Sequence, residues 1–133
     1  MRGDHAGLRV PDFDAAVAWH QEKLDFRLTA TTEAVGLRWA FLAPAADDSF
    51  QIELAAGPGA EEHPGSGNLI KALGWRGWHH VCLRVDDMEG ALAELARRWV
   101  EIVSGRLEYE PIGRRGAFFS DPWGNLFELI QHV

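Results

Sequence analysis

The sequence predicts an α+β fold made of two tandem βαβββ modules, with the helices on the outer face of the sheet. Three observations predict it. A pattern near the start, His5-Ala-Gly-Leu8-Arg9-Val10-Pro-Asp12, returns as His80-Val-Cys-Leu83-Arg84-Val85-Asp-Asp87, with His, Leu, Arg, Val and Asp in register at an offset of 75 residues. The same offset carries Ala16 and Ala18 onto Ala91 and Ala93, and Glu53-Leu54 onto Glu128-Leu129, giving nine identities in one register. Within each copy, a stretch of period two gives way to a helical period and then to short strand-like runs.

The elements follow in chain order. In His5 to Val10, Ala6, Leu8 and Val10 face one way and His5, Gly7 and Arg9 the other, as in a strand with one core-facing side. Asp12 is the N-cap of a helix over about 13–23, with Phe13, Ala16, Val17 and Leu24 on one stripe. Strands are expected at Phe26 to Thr31, Leu37 to Leu42 and Phe50 to Ala55. Gly57 to Gly77 is rich in Gly and Pro and reads as a linker, with a short helical turn around Asn68 to Leu73. Module one therefore covers about residues 1–56 and module two about 78–133, within a single domain of 133 residues.

The second module repeats the plan. Val81, Leu83 and Val85 form the apolar face of its first strand, and Asp86 or Asp87 caps a helix from Met88 to Trp99. That helix carries Met88, Ala91, Leu92, Leu95 and Trp99 on one stripe. Strands are expected at Glu101 to Leu107, Gly116 to Ser120 and Asn125 to Gln131, with Asp121-Pro122-Trp123-Gly124-Asn125 as the last turn.

Composition narrows the function. Thirteen Lys and Arg against twenty Asp and Glu leave a net charge of −7, which argues against nucleic-acid partners and anionic membranes. Cys82 is the only cysteine, so neither an intrachain disulfide nor a Cys-x-x-Cys site is available, and a cytoplasmic setting is expected. No apolar run approaches the roughly 18 residues that span a bilayer.

The repeat also places four chemically telling residues on the faces away from the helices: His5, Glu53, His80 and Glu128. Each glutamate interrupts an apolar strand, and a carboxylate in such a place must be paired, hydrated or metal-bound. Singly, His5 reads as a strand-end histidine and Glu53 as an edge charge. Together in one duplicated frame, two imidazoles and two carboxylates suit a borderline divalent cation. His79 competes with His80 as a ligand, but only His80 shares the register of His5.

The double βαβββ pattern, the His-x-x-Leu-x-Val-x-Asp opening of each half and the ending Asp121-Pro122-Trp123-Gly124-Asn125-Leu126-Phe127-Glu128 resemble the vicinal oxygen chelate (VOC) superfamily. That superfamily includes glyoxalase I, methylmalonyl-CoA epimerase, extradiol dioxygenases, fosfomycin-modifying enzymes and bleomycin-binding proteins. The resemblance implies modules curled into an incomplete mixed barrel around a metal, in a homodimer whose site draws ligands from one subunit or two. The chain is most similar to glyoxalase-I-like members, which carry His, Glu, His and Glu where it has His5, Glu53, His80 and Glu128. It therefore implies a metal-dependent lyase or isomerase that moves a proton next to a carbonyl, as in hemithioacetal isomerisation. Glu128 is the first candidate base and Glu53 the second. Nickel, cobalt, zinc, manganese and iron are all compatible with the ligand set.

Two other readings stay open. An extradiol-type dioxygenase uses two His and one carboxylate, and its signature carries a Tyr where this chain has Phe118 and a His where it has only Glu108, Tyr109 and Glu110. A bleomycin-type binding protein suits the negative charge and six tryptophans but has no need of four metal ligands. Candidate substrate contacts are Arg9 and Arg84 for an anionic tail, and Trp39 and Phe118 for a pocket wall. Phe41, Phe119 and Phe127 divide between core and pocket. His20 is expected on a helix face beside Val17 and Leu24, His63 and His132 in solvent, and Cys82 as a small buried or pocket-lining residue. Trp75 and Trp78 are dimer contacts or a lid.

Overall fold

The computed structural model describes residues 1–133, which divide into two compact units, Met1–Glu61 and Glu62–Val133. The first unit runs β1 (His5–Val10), α1 (Phe13–Leu24), β2 (Arg27–Ala34), β3 (Leu37–Ala43) and β4 (Gln51–Ala56). Its sheet has the order β1-β4-β3-β2, with β1 parallel to β4 and the other pairs antiparallel. The Asp12 carboxylate accepts the Ala15 N–H at 2.7 Å and starts α1. The helix packs on β2, β3 and β4 through the buried Ala16 and Val17, where the fully buried Ala40, Leu42, Ile52 and Leu54 form the core. Strand alternation sends Trp39, Phe41, Gln51 and Glu53 to the opposite face.

The second unit opens with a short helix, α2 (Leu69–Ala72), capped by the Asn68 side chain, which accepts the Lys71 N–H at 2.8 Å. It continues with β5 (Val81–Arg84), α3 (Met88–Arg97), β6 (Glu101–Ile102), β7 (Leu107–Tyr109), a single 3₁₀ turn over Glu110–Ile112, β8 (Arg114–Ser120) and β9 (Leu126–His132). The sheet order β5-β9-β8-β6 repeats that of the first unit, again with a parallel outer pair, and β7 adds to β8. The Asp87 carboxylate caps α3 through the Gly90 N–H. Phe119 and Phe127 stack at 5.0 Å in the core of this unit, with Met88 and Leu95 of α3 also buried.

Several expectations change. The strand expected over Glu101 to Leu107 breaks into β6 and β7, because Val103 and Ser104 both donate to the Phe118 carbonyl and the Ser104 hydroxyl takes the Phe118 N–H. The helix expected to reach Trp99 ends at Arg97, and Trp99 adopts a left-handed conformation (φ 61°), 90% exposed. The stretch expected as one linker is shared between the units. At its start the Arg9 guanidinium donates to the carbonyls of Val10, Ala55, Gly57 and Pro58 at 2.5–3.1 Å. At its end, Gly67 donates to the Gly124 carbonyl at 3.0 Å, tying residues 65–67 to the Asp121–Asn125 turn. That turn is organised by the buried Asp121, which accepts the N–H groups of Trp123 and Asn125 and the Asn125 side-chain amide. Burial pushes its carboxyl up, and these hydrogen bonds work against that shift. No helix is long and apolar enough to cross a membrane.

Candidate metal-binding residues

In the first unit, β1 lies parallel to β4 with Gly7 opposite Glu53. His5 sits two residues before Gly7 on the same face, and its Nε2 stands 3.6 Å from Glu53 Oε2. Gly7 places no side chain beside Glu53, and a Cβ there would stand at ordinary contact distance, 3.5 Å from Oε2. The His5 Nδ1 lies 2.7 Å from Asp4 Oδ2. A carboxylate only accepts, so Nδ1 carries the hydrogen, and a neutral His5 points an Nε2 lone pair at Glu53. Phe41, directly across from Glu53, meets the His5 ring edge-on at 5.6 Å.

The second unit builds the same arrangement with different supports. His80 Nε2 is 3.2 Å from Glu128 Oε2, and Phe118, opposite Glu128 in the register, meets the His80 ring edge-on at 5.1 Å. His79 Nε2 lies 3.1 Å from the Leu69 carbonyl, which can only accept, so that nitrogen donates. The neutral His79 then offers an Nδ1 lone pair, and His80 Nδ1–H donates to it at 2.9 Å. His80 Nε2 is left with its lone pair toward the Glu128 carboxylate. His79 is thus an orienting partner of His80 rather than its rival, and both histidines lie just ahead of β5. Two acceptors face each other in each pair, which repels unless a proton or a cation stands between them. A His oriented by an acceptor on its other nitrogen and set beside a carboxylate is a donor set that fits a divalent metal. In neither unit do three or more His, Cys, Asp and Glu side chains gather into a preformed cluster.

Glu128 is the more tightly held carboxylate. The Tyr109 hydroxyl donates to its Oε1 at 3.2 Å, and the Cys82 thiol also hydrogen-bonds to it. Partial burial, then the Glu128 hydrogen bond and charge, push the thiol up to about 12, and Cys82 is exposed rather than buried as expected. Desolvation and the Glu128 charge likewise raise the Tyr109 phenol. Tyr109 was not a candidate on sequence grounds. The signal for it is Gly116 in the middle of β8, where a Cβ would come to 2.6 Å from the Tyr109 ring and 2.8 Å from Glu128 Oε1. Asp4 was missed too, since it lies ahead of the repeat.

The remaining candidates fall as follows. Phe118 is buried against His80, and Trp39 lies half-buried on the Glu53 face, its indole N–H donating to the Ala34 carbonyl. Arg9 shares that face, with its guanidinium engaged by backbone carbonyls. Arg84 is exposed at the end of β5. His20 is fully buried on α1, donating through Nδ1 to the Ala16 carbonyl, and burial holds its imidazole below the ordinary range. His63, His132, Trp75 and Trp78 are exposed.

The duplicated βαβββ unit, with one imidazole and one carboxylate on the sheet face of each copy, has the arrangement that the vicinal oxygen chelate resemblance implies. The family model described as Glyoxalase/Bleomycin resistance protein/Dioxygenase superfamily matches residues 2–129, and the chain belongs to that superfamily. Among relatives, the uncharacterized protein YwbC of Bacillus subtilis (strain 168) is 27% identical over 134 residues, covering 98% of this chain and 97% of that one. A glyoxalase I mutant from Zea mays has a TM-score of 0.76 at 22% identity, spanning 99% of this chain and 46% of its own. TnmS3, an antibiotic binding protein from Streptomyces sp. CB03234, has a TM-score of 0.64 at 30% identity, covering 96% and 93% of the two chains.

Proposed function

We propose that this protein is a glyoxalase-I-type lyase or isomerase that depends on a divalent metal held by His5, Glu53, His80 and Glu128. The observation that carries the reading is the twofold occurrence of a His–Glu pair in which an acceptor on Nδ1 turns the Nε2 lone pair toward the carboxylate. A bound divalent cation supplies Lewis acidity toward adjacent oxygens of a small chelating substrate, acidifying the proton on the neighbouring carbon. The chain's own residues do the rest. Glu128, or Glu53, accepts that proton on a carboxylate oxygen and returns it to the adjacent carbon. Tyr109 holds Glu128 by its Oε1, and Phe118 gives an apolar wall beside the His80–Glu128 pair, as Trp39 does on the face of Glu53 in its own unit. Nickel, cobalt, zinc, manganese and iron are the candidate metals, and a homodimer is the proposed assembly.

A second reading has one observation in its favour, the 30% identity to an antibiotic binding protein. It makes the chain a binder of small molecules without catalysis. Metal analysis of the purified protein, with stability measured before and after EDTA, separates the two. The enzyme reading expects stoichiometric metal, loss of tight binding in both Glu53→Gln and His80→Ala, and turnover of methylglyoxal with at least one thiol. Full metal affinity in both variants would refute the ligand assignment.

A further inference from the structure

The arginines carried by helices and strands fall into two groups. Arg27, Arg38, Arg97 and Arg115 each lie within ion-pair distance of a carboxylate, and Arg9 donates to backbone carbonyls. Arg84 at the end of β5 and Arg114 at the start of β8 have no carboxylate partner, in a chain with twenty acidic residues. Two guanidiniums without a carboxylate in so acidic a protein are available to an anion from elsewhere.

The strand register brings them to one face. Cys82 and Phe118 both pair with Glu128, Arg84 and Gly116 both pair with Ile130, and Arg114 pairs with His132. Read across β5, β9 and β8, the first row is Cys82, Glu128 and Phe118, the second is Arg84, Ile130 and Gly116, and the third ends in His132 and Arg114. Partners and alternate residues share a face, so Arg84, His132 and Arg114 flank Ile130 on the face that carries Glu128. Arg84 is one row beyond Glu128, about 7 Å along the strand. Gly116 has no side chain of its own; the ring of Tyr109, which pairs with Arg114 from β7, and the Glu128 carboxylate lie over it and border the group. Desolvation, then the charges of Arg114 and Arg84, hold the His132 imidazole below its ordinary range, as expected where cationic groups crowd. The acid in the adjoining row is Glu128, whose oxygens face His80 and Tyr109.

We propose that Arg84, Arg114 and His132 form an anion subsite that takes the carboxylate or phosphate end of a small molecule whose reacting end lies at the His80–Glu128 pair. The link to the reacting end rests on the glyoxalase-type reading; the subsite itself requires no metal. The test is an NMR titration of the ¹⁵N-labelled full chain in EDTA at constant ionic strength, with inorganic phosphate and, separately, acetate. The His132 ring and the Nε–H groups of Arg84 and Arg114 are the reporters. Saturable shifts at these groups are expected, weakened roughly tenfold by Arg84→Gln or Arg114→Gln and abolished in the double variant. Arg115→Gln, on the opposite face and paired with Glu108, should leave them unchanged. Saturation by phosphate alone assigns a phosphate end, by acetate alone a carboxylate end, and by both the shared chemistry. Shifts that never saturate, or that persist in the double variant, overturn the subsite. Nickel affinity, measured on the same variants, should stay at the wild-type value. Absence of nickel binding in every protein with anion binding intact would defeat the metal reading and leave the subsite standing.

Discussion

Replacing Gly116 by alanine tests how Glu128 is held without recourse to any metal. The new Cβ would stand 2.6 Å from Tyr109 Cε2, 2.8 Å from Glu128 Oε1 and 3.0 Å from the Tyr109 hydroxyl. Carbon atoms pack best at about 3.5–4.0 Å, so the tyrosine ring must retreat by about 1 Å. Its hydroxyl is already 3.2 Å from Glu128 and cannot follow that retreat without losing the bond. Overpacking costs about 1–3 kcal/mol and a hydrogen bond to a charged group about 1.5–3 kcal/mol. The ring's movement relieves part of the first while forfeiting the second, so we expect Gly116→Ala to cost about 2–4 kcal/mol. Two of the three close atoms belong to Tyr109, so in a Tyr109→Ala background the same substitution should cost only about 1 kcal/mol, a residue of the Glu128 contact. Urea denaturation of the four proteins in EDTA, followed by circular dichroism, measures the coupling. Additivity within about 0.5 kcal/mol would refute the claim that Gly116 exists to seat Tyr109 on Glu128.

Three further outcomes are expected. The folded chain holds His20 below its ordinary 6.5, so the unfolded chain binds a proton there that the folded chain refuses. Stability from this source is complete above about pH 6.5 and falls below it, by at most about 1.4 kcal/mol per pH unit, and parallel pH–stability curves for wild type and His20→Gln would contradict it. Val35 and Gly36 form the β2–β3 turn with φ of 49° and 75°, and Val35 is exposed, so Val35→Asn should raise stability by about 1 kcal/mol in thermal denaturation. Gly124 has φ 82° and a Cβ there would overlap Ser66 Oγ at 1.6 Å, so Gly124→Ala should cost about 2–4 kcal/mol and speed amide exchange in residues 65–67.

The 75-residue offset reads the outer strand pair, both helix starts and both His–Glu pairs, because those segments keep equal lengths in the two halves. It fails at the inner hairpin. Seven residues separate β3 from β4, but five separate β8 from β9. The structural counterpart of Phe41 is therefore Phe118, opposite the glutamate in each sheet, two residues off the repeat register. A constant offset aligns Phe41 with Gly116 and hides the shared edge-on contact to histidine. The end of α3 was illegible for another reason. Val100 donates to the Leu95 carbonyl while Trp99 takes the left-handed position, a helix stop usually marked by Gly. With Trp at that position the apolar stripe continues in the sequence, and only the structure shows the indole turned into solvent.

The duplication preserves the two His–Glu pairs and lets their supports diverge, which decides what a repeat can reveal. Around Glu53 the position opposite is Gly7, and His5 is oriented by a charged neighbour, Asp4, in the exposed segment before β1. Around Glu128 that position is Cys82, whose thiol hydrogen-bonds to the carboxylate, Tyr109 adds a second donor, and the orienting group is His79 anchored to α2. One carboxylate therefore has an open flank and the other is gripped from two sides. If an unconstrained carboxylate serves better as a mobile base and a constrained one as a fixed ligand, the order taken from the family resemblance inverts, with Glu53 ahead of Glu128. Removing the grip then makes the two alike: Tyr109→Phe combined with Cys82→Ala should loosen Glu128 toward the freedom of Glu53, while Gly7→Ala should reach only ordinary contact with Glu53 and leave it nearly as free as before.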